Sequence, residues 1–396
     1  MPISTTTPSG LPDLNPESAA HARAVAAYLA DRIQACEDGF MPFEHWMNLA
    51  LYAPGLGYYA AGNTKFGAAL PTGDFTTAPE MTPLFGQTLA GQVVQILNES
   101  RSVQVLEFGA GSGALAAAII PALRQSGIEP HYQILEVSAD LRARQQQRLA
   151  GFGAAVSWLS ELPQAFTGCI VANEVLDAMP ATLFRWNDDG GIMEIGVRLA
   201  RPLNGIDDLA AFEFAQRPAS AALQEMINSR MPPLPGYQSE INRQAEAWIT
   251  QMGSWLKHGA ALLIDYGFPQ REYFHPQRNE GTLMCHFRHH AHGQPLIHAG
   301  LQDITTHVDF TAMADAALAG GLDVLGYTSQ ARFLMNAGLP ELLAQSGAIA
   351  QPHTISAVQK LLSEAEMGEL FKVLAIGRDI GQPLIGFDQG DRRGRL

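Results

Sequence analysis

The stretch LEFGAGSGAL, residues 106–115, places one acidic residue and three glycines at alternate positions. Glu107 closes an apolar run, and Gly109, Gly111 and Gly113 follow it before an alanine-rich segment begins. Glycine permits a sharp turn from strand to helix and lets backbone N–H groups approach a ligand closely. The spacing is compatible with a dinucleotide, with another adenine-containing cofactor, or with a tight turn that binds no ligand.

A second acid follows at the end of the next predicted strand. HYQILEVS (131–138) has the composition of a strand, and Glu136 lies at its end. A carboxylate at this position can accept hydrogen bonds from both ribose hydroxyls of an adenosyl group. The alternative is a glutamate that faces solvent. Together with the glycine loop, Glu136 favours ribose binding.

The carboxylate of Glu107 distinguishes between cofactors. It would sit poorly beside a pyrophosphate, whereas it suits a cation such as the sulfonium or amino group of S-adenosyl-L-methionine. The pattern E-x-G-x-G-x-G resembles the first motif of class I methyltransferases, which bind this cofactor on a Rossmann-like sheet. We therefore expect S-adenosyl-L-methionine, with an NAD-dependent oxidoreductase as the first alternative.

Polar residues follow the fourth predicted strand in NEVLDAMP, residues 173–180. Loops at the ends of strands in an open parallel sheet face the ligand crevice. We expect Asn173 to orient the cofactor or the acceptor, and Glu174 and Asp177 to hold a cationic acceptor. Alternatively, Asp177 caps a turn and Glu174 faces solvent. Glu240, expected at the start of the helix before the fifth strand, is a second candidate carboxylate, although stabilisation of the helix N-terminus explains it nearly as well.

These residues require a scaffold, and the chain pattern predicts one. From about residue 100, strand candidates alternate with helical segments, which predicts an α/β fold: a Rossmann-like parallel sheet with helices on both faces. The turn residues NDDGG after Pro180 predict an inserted β-hairpin region. We expect an N-terminal subdomain over 1–95 that covers the cofactor site, and a methyltransferase domain over 96–396 with an insertion at about 181–236.

Composition and charge narrow the class of protein. The 396 residues are 47% hydrophobic and 16% charged, as in globular proteins. A net charge of −14 disfavours nucleic acid and anionic membranes and favours a cationic substrate. The three cysteines form no CxxC pair, which fits a reducing compartment. The sequence shows no signal peptide, Arg-rich presequence or membrane span, so we expect a cytoplasmic protein.

Several further segments resemble one family. NEVLDAMP, GTLMCHFRHHAHGQPL and LQDITTHVDF, with ALYAPGLGYY, TGDFTTAPE and FGQTLAGQ nearer the N-terminus, are similar to the MidA family over roughly residues 40–315. This is the family of the mitochondrial complex I assembly-factor methyltransferase, whose mitochondrial members methylate protein arginine. The resemblance implies methyl transfer to arginine of a protein substrate. A scaffold that binds assembly partners without turnover is the other alternative, and exposed edges in the insertion would allow a homodimer.

The resemblance also implies roles for residues outside the sheet. Asp74 belongs to the segment that folds over the cofactor and would reach its ammonium group, although an Asx turn is equally plausible. His286, His289 and His307 would line or brace the acceptor side, where a neutral histidine can accept a proton. The histidine-rich loop also allows a zinc hydrolase, but it lacks an HExxH motif and a CxxC pair, so we expect no metal.

Overall fold

A computed structural model describes residues 10–61, 77–200, 212–345, 347 and 351–396. These residues form two compact units. The first unit lies within the chain segments 1–75, 178–244 and 270–307, and the second within 76–177, 245–269 and 308–396. The units therefore interleave along the sequence, whereas the sequence predicts a single division near residue 95. That predicted division stays a prediction.

The described strands follow in chain order. They are β1 (Met41–Pro42), β2 (Gln104–Phe108), β3 (His131–Leu135), β4 (Val156–Leu159), β5 (Phe166–Asn173), β6 (Thr182–Trp186), β7 (Ile192–Leu199), β8 (Phe212–Pro218), β9 (Gln238–Ile241), β10 (Leu256–Phe268), β11 (Met284–Phe287), β12 (His290–His292), β13 (Asp303–Thr305), β14 (Val308–Asp309), β15 (Asp323–Ser329) and β16 (Phe371–Arg378).

The described α-helices connect these strands. They are α1 (Pro16–Gln34), α2 (Phe43–Tyr52), α3 (Ala78–Met81), α4 (Pro83–Ser100), α5 (Ala114–Gln125), α6 (Ala139–Leu149), α7 (Ala221–Arg230), α8 (Arg243–Trp255), α9 (Gln270–Tyr273), α10 (Phe310–Ala319), α11 (Gln330–Asn336), α12 (Leu339–Gln345), α13 (Pro352–Leu362) and α14 (Met367–Leu370). No helix among the described residues has both the length and the apolar composition that a membrane crossing requires.

The second unit is built on one large sheet with the strand order β15-β16-β10-β5-β2-β3-β4. The pairs β3–β4, β2–β3, β2–β5 and β5–β10 are parallel, which confirms the predicted α/β fold. The apolar strand β16 runs antiparallel to both β10 and β15. Because β3 and β5 lie on opposite sides of β2, the crevice for a ligand opens beyond the carboxyl ends of β2 and β5.

Helices cover both faces of this sheet. On one face, Val105 belongs to a buried core cluster with Leu89 of α4 and Ile119 of α5. On the other face, the ring of Phe108 lies 5.0 Å from that of Trp248 of α8. Helices α4 and α5 pack closely because Gly86 has no side chain: a Cβ atom there would lie 2.6 Å from the Cβ atom of Ala118.

The first unit contains an antiparallel sheet with the order β1-β7-β6-β9, in which β8 also pairs with β7. Strands β6 and β7 form the predicted hairpin. The prediction that Glu240 begins a helix is wrong, because Glu240 lies in β9 opposite Leu183, and α8 begins at Arg243. A smaller sheet has the order β12-β11-β13.

Candidate functional site

The glycine loop between β2 and α5 has a backbone that other residues adopt poorly. Gly109, Gly111 and Gly113 have φ angles of 61°, 52° and 82°, all in the left-handed region. The loop is held from within by Gly113, whose N–H donates to the carbonyl of Ala110 at 2.7 Å. A Cβ atom at Gly111 would meet no described atom within 4 Å. The loop therefore leaves open space on the side where a ligand would approach.

The side chain of Gln145 joins this loop to Glu136. Gln145 lies in α6 and is fully buried. Its amide nitrogen donates to the carbonyl of Gly111 at 2.9 Å and to a carboxylate oxygen of Glu136 at 3.0 Å, and its amide oxygen accepts from Trp158. Burial raises the pKa of Glu136. Gln145 was not identified from the sequence, where it is one of three consecutive glutamines; only its position on the buried side of α6 distinguishes it.

Glu107 lies below the loop, in the core. Its side chain is 3% exposed, and the hydroxyl of Tyr132 donates to it at 2.7 Å. Burial, and secondarily the charge of Glu136, raise its pKa to about 8. The neutral carboxyl therefore predominates at pH 7, whereas the sequence argument takes Glu107 as a carboxylate, and its contact with the cofactor stays a prediction. The carboxyl is buried because strand alternation directs Glu107 to the same core face as Val105, where Tyr132 packs.

Asn173 and Glu174 lie at the carboxyl end of β5. Glu174 has a φ angle of 54°, unusual for a residue with a side chain. Its N–H donates to the carbonyl of Ile264 in β10 at 2.9 Å, and the amide nitrogen of Asn173 donates to its carboxylate at 3.1 Å. The side-chain oxygen of Asn173 is buried and accepts no hydrogen bond from the described residues.

An acid that was not identified from the sequence completes this group. Asp265 of β10 is fully buried, and its Oδ2 atom accepts the N–H groups of Val175, Leu176 and Asp177 at 3.2, 3.0 and 3.2 Å. The hydroxyl of Tyr266 donates to Oδ2 of Asp177 at 2.5 Å. Burial and the nearby acids raise the pKa of Asp265 well above its usual value, against the opposing effect of its N–H donors. The structure thus brings three acids together at the ends of β5 and β10.

Glu240 and His307 are bridged by Thr282 in the first unit. Glu240 is buried and accepts from the hydroxyl of Tyr273 at 2.9 Å and from the N–H of Thr282 at 2.8 Å. The N–H of His307 donates to the hydroxyl of Thr282 at 2.8 Å. Burial raises the pKa of Glu240. Glu240 also lines a cavity of about 450 Å³, with Arg185 among the other lining residues.

The other two predicted histidines, His286 and His289, belong to the small sheet formed by β11, β12 and β13 and to its first turn. His286 is in β11 opposite Asp303, and His289 is exposed at the turn between β11 and β12 with a φ angle of 66°. Across the described parts of the chain, no group of three or more His, Cys, Asp or Glu side chains is arranged to hold a metal ion. Asp74 lies outside the described residues.

Residues 88–328, which include the glycine loop and the acidic group, match the family described as "Putative S-adenosyl-L-methionine-dependent methyltransferase". The chain belongs to this family. The predicted MidA-type methyltransferase and its cofactor, S-adenosyl-L-methionine, are thereby confirmed in preference to an NAD-dependent oxidoreductase.

Relatives of this methyltransferase extend over most of its length. A crystal structure from Burkholderia thailandensis, described as a "likely methyl transferase" bound to S-adenosyl-homocysteine, is 45% identical, has a TM-score of 0.88 and covers 98% of this chain and 100% of its own. The curated relative "Protein arginine methyltransferase NDUFAF7, mitochondrial" of Danio rerio is 27% identical over 89% of this chain and 87% of its own. The Drosophila melanogaster homolog is 26% identical over 92% and 88%.

These relatives also correct one expectation. The sequence predicts a cytoplasmic methyltransferase, but the Danio rerio and Drosophila melanogaster relatives are both named as mitochondrial proteins. The expectation of a cytoplasmic location is therefore wrong. It depended on the composition of the N-terminal segment, which is weak evidence about location.

The residues of the methyltransferase fit its cofactor. The open side of Gly111 leaves room for a ligand against the backbone. The half-buried carboxylate of Glu136, held by Gln145, is an acceptor suited to ribose hydroxyls. The buried amide oxygen of Asn173, which accepts no hydrogen bond from the described residues, suits a ligand N–H or O–H group.

Proposed function

We propose that this methyltransferase methylates an arginine side chain of a protein substrate. The observation that carries the proposal is the acidic group at the ends of β5 and β10, formed by Glu174, Asp177 and Asp265. Several carboxyl groups beside a cofactor crevice suit a cationic acceptor, and a guanidinium is held well by forked hydrogen bonds to carboxylates. The Danio rerio and Drosophila melanogaster relatives are named protein arginine methyltransferases, which supports the same acceptor.

In this proposal, the chain holds the cofactor with residues of the second unit. The backbone at Gly109, Gly111 and Gly113 would hold the cofactor, Glu136 would accept from its ribose hydroxyls, and Asn173 would accept a hydrogen bond through its side-chain oxygen. Two observations support this arrangement: a Cβ atom at Gly111 would meet no described atom within 4 Å, and the side-chain oxygen of Asn173 accepts no hydrogen bond from the described residues. Glu107 stays a proposed contact below the loop, and Asp74 stays a proposed contact from the covering segment.

The chemistry needs positioning more than covalent assistance. Bound S-adenosyl-L-methionine supplies a methyl group whose carbon–sulfur bond breaks, with the electron pair kept by sulfur, as a guanidinium nitrogen forms the new bond and then loses a proton. The carboxylate of Glu174 orients the guanidinium and localises its positive charge on a nitrogen that is not methylated. Asp177 accepts the released proton, and the hydroxyl of Tyr266 orients it for that role. Both acids must be ionised to act.

Residues of the first unit are proposed to contact the protein substrate. Glu240 carries this part of the proposal because it lines a cavity of about 450 Å³ whose other lining residues include Gln238 and Glu280. His307 is joined to Glu240 through Thr282. His286 and His289 stay proposed substrate contacts on the implied acceptor side.

The test compares Glu174→Gln with Glu161→Gln, a change at an exposed acid elsewhere in the second unit. Each purified protein is incubated with methyl-labelled cofactor and an extract from a strain that lacks the gene, and labelled residues are identified by mass spectrometry. Wild type and E161Q should label arginine, and E174Q should do so about 100-fold more slowly with S-adenosyl-homocysteine affinity preserved. Label on another residue type would exclude arginine as the acceptor. Normal turnover by E174Q would exclude the role of Glu174.

A further inference from the structure

Asp265 is an acid in a strand that is otherwise apolar. It follows Leu262, Leu263 and Ile264 in β10, and like them it is almost completely buried. Removing a carboxyl group from water is costly unless hydrogen bonds compensate. An apolar residue would fill the strand at lower cost, so the hydrogen bonds of Asp265 indicate what the acid is for.

The hydrogen bonds of Asp265 go to one short segment. Oδ2 accepts from three consecutive backbone N–H groups, those of Val175, Leu176 and Asp177, and Oδ1 accepts the N–H of Tyr266 at 2.9 Å. Three successive N–H groups can converge on one oxygen only if the backbone curls around it. A carboxylate at the centre of such a curl fixes the backbone over these residues.

The curl begins at a strained residue. Glu174 has a φ angle of 54°, which a side chain disfavours, and such residues persist only where their surroundings hold them. Strand pairing supplies one restraint, since Asn173 is opposite Ile264 and the N–H of Glu174 donates to the carbonyl of Ile264. Asp265, the next residue in β10, supplies the second restraint directly after the strained position.

The neighbouring residue Tyr266 holds a side chain of the same segment. Its hydroxyl donates to Oδ2 of Asp177 at 2.5 Å. Lys372 of β16 is opposite Asp265, but its ammonium group contacts the backbone carbonyls of Glu369 and Leu370. These hydrogen bonds connect Asp265 to the backbone after Glu174, and Tyr266 to the side chain of Asp177.

We propose that Asp265 and Tyr266 are positioning residues for methyl transfer: Asp265 fixes the backbone that presents Glu174, and Tyr266 fixes the carboxylate of Asp177. The proposal depends on the proposed function for the roles of Glu174 and Asp177 but not for the identity of the acceptor. Neither positioning residue touches the reacting atoms. Both act through the segment 173–177.

The first test uses Asp265→Asn, which keeps the shape but removes the charge and places an amide N–H group against backbone N–H donors. The amides of Val175, Leu176 and Asp177 should exchange hydrogen faster in D265N. Methyl transfer into extract proteins should fall about 100-fold, because misplaced groups lose their effective concentration. Affinity for S-adenosyl-homocysteine should stay within about threefold, since the variant keeps the glycine loop and Glu136.

The matched control is Asp309→Ala. Asp309 is also buried, and its Oδ1 atom accepts the N–H groups of Thr311 and Ala312 at 3.1 and 3.2 Å as the cap of α10. D309A removes this cap and should lose stability, but it should keep the transfer rate. A loss of rate in D265N that D309A reproduces at equal stability would reduce Asp265 to a structural role and overturn the proposal.

The second test uses the pH profile of the transfer rate and includes Tyr266→Phe, which removes only a hydroxyl. Burial and the nearby acids raise the pKa of Asp265 well above its usual value, so the group is uncharged on the acid limb and D265N should leave the limb where wild type has it. Y266F removes a donor to the Asp177 carboxylate and should shift the acid limb to higher pH. Loss of packing alone would lower the rate of Y266F without moving its limb.

The outcomes separate this proposal from the proposed function. Label on a residue other than arginine would reject the arginine acceptor, while the D265N and Y266F comparisons would still hold for the acceptor found. Wild-type transfer rates in both variants, together with an unshifted acid limb in Y266F, would overturn the positioning proposal and leave the acceptor assignment intact. If D265N does not fold, the Y266F profile decides, and an unshifted acid limb in Y266F rejects the proposal.

Discussion

Replacing Glu107 with glutamine changes an ionisable carboxyl in the core into a neutral amide of nearly the same shape. Glu107 is 3% exposed, and its best-defined partner is the hydroxyl of Tyr132 at 2.7 Å. The amide oxygen of a glutamine can accept the same hydrogen bond. The variant therefore removes the titration while it preserves the packing and the contact with Tyr132.

The size of the change in unfolding free energy follows from the pKa of Glu107, which burial raises from 4.5 to about 8. The folded chain binds this proton more tightly than the unfolded chain does. The stabilisation is therefore complete below pH 4.5, declines above it, and is lost as pH passes about 8. At about 1.36 kcal/mol per pH unit, the loss of unfolding free energy is about 3 kcal/mol at pH 7 and about 5 kcal/mol above pH 8.

The assay is urea unfolding of wild type and Glu107→Gln in parallel, from about pH 5 to about pH 8.5. Other groups titrate equally in both proteins and cancel in the difference. E107Q should gain stability relative to wild type as pH rises, by about 3 kcal/mol between pH 5 and pH 8. A difference that stays constant over this interval would show that Glu107 has an ordinary pKa in the folded chain.

The same carboxyl should respond to the charge of the cofactor if it lies close by. A sulfonium cation near Glu107 favours its ionised form, so binding of S-adenosyl-L-methionine at pH 7 should release a proton from wild type that E107Q does not release. Calorimetry in buffers with different heats of ionisation measures this proton. S-adenosyl-homocysteine, which lacks the sulfonium charge, should release less. Equal proton release by wild type and E107Q would remove Glu107 from the cofactor contacts.

Further variants test the cofactor side of the second unit. Gly111→Ala and Gly127→Ala both place a Cβ atom at a positive φ with no described atom within 4 Å. Each variant should therefore lose about 1–2 kcal/mol of unfolding free energy. Only G111A should weaken the binding of S-adenosyl-homocysteine, measured by calorimetry, by more than about tenfold. Glu136→Gln should weaken binding about tenfold, since a charged acceptor becomes neutral; unchanged affinity would exclude ribose contact. Gln145→Leu loses three hydrogen bonds and should lower the unfolding free energy by about 3 kcal/mol, whereas a stable variant with normal affinity would show that Gln145 does not hold the loop.

Much of the sheet could be predicted from the sequence because its signals are local. Apolar runs that end in glycine or an acid, followed by helical segments, identify β2, β3 and β5 and the loops after them. The orientation of β16 could not be predicted, since an apolar strand near the end of the chain pairs equally well in either direction. Glu240 was misplaced because its short strand directly precedes a helix, and a helical pattern is easily extended backward over such a segment.

The chemistry of individual acids depended on contacts distant in sequence. Asp265 could not be identified because its N–H donors lie 88 to 90 residues earlier in the chain. Its single visible signal is an acid inside an apolar strand. The neutral form of Glu107 could not be predicted either, because the charge depends on burial beside Tyr132 rather than on proximity to the glycines.

The acids that follow β5 are proposed to direct methyl transfer from S-adenosyl-L-methionine to protein arginine, and the proposed roles of Glu174, Asp177, Asp265 and Tyr266 all depend on this transfer. The most direct measurement is mass spectrometry of extract proteins incubated with methyl-labelled cofactor and either wild type or Glu174→Gln, at equal occupancy by cofactor. We expect labelled arginine with wild type and about 100-fold less with E174Q. Labelled arginine that appears equally with both proteins, or label found on other acceptors alone, would contradict it.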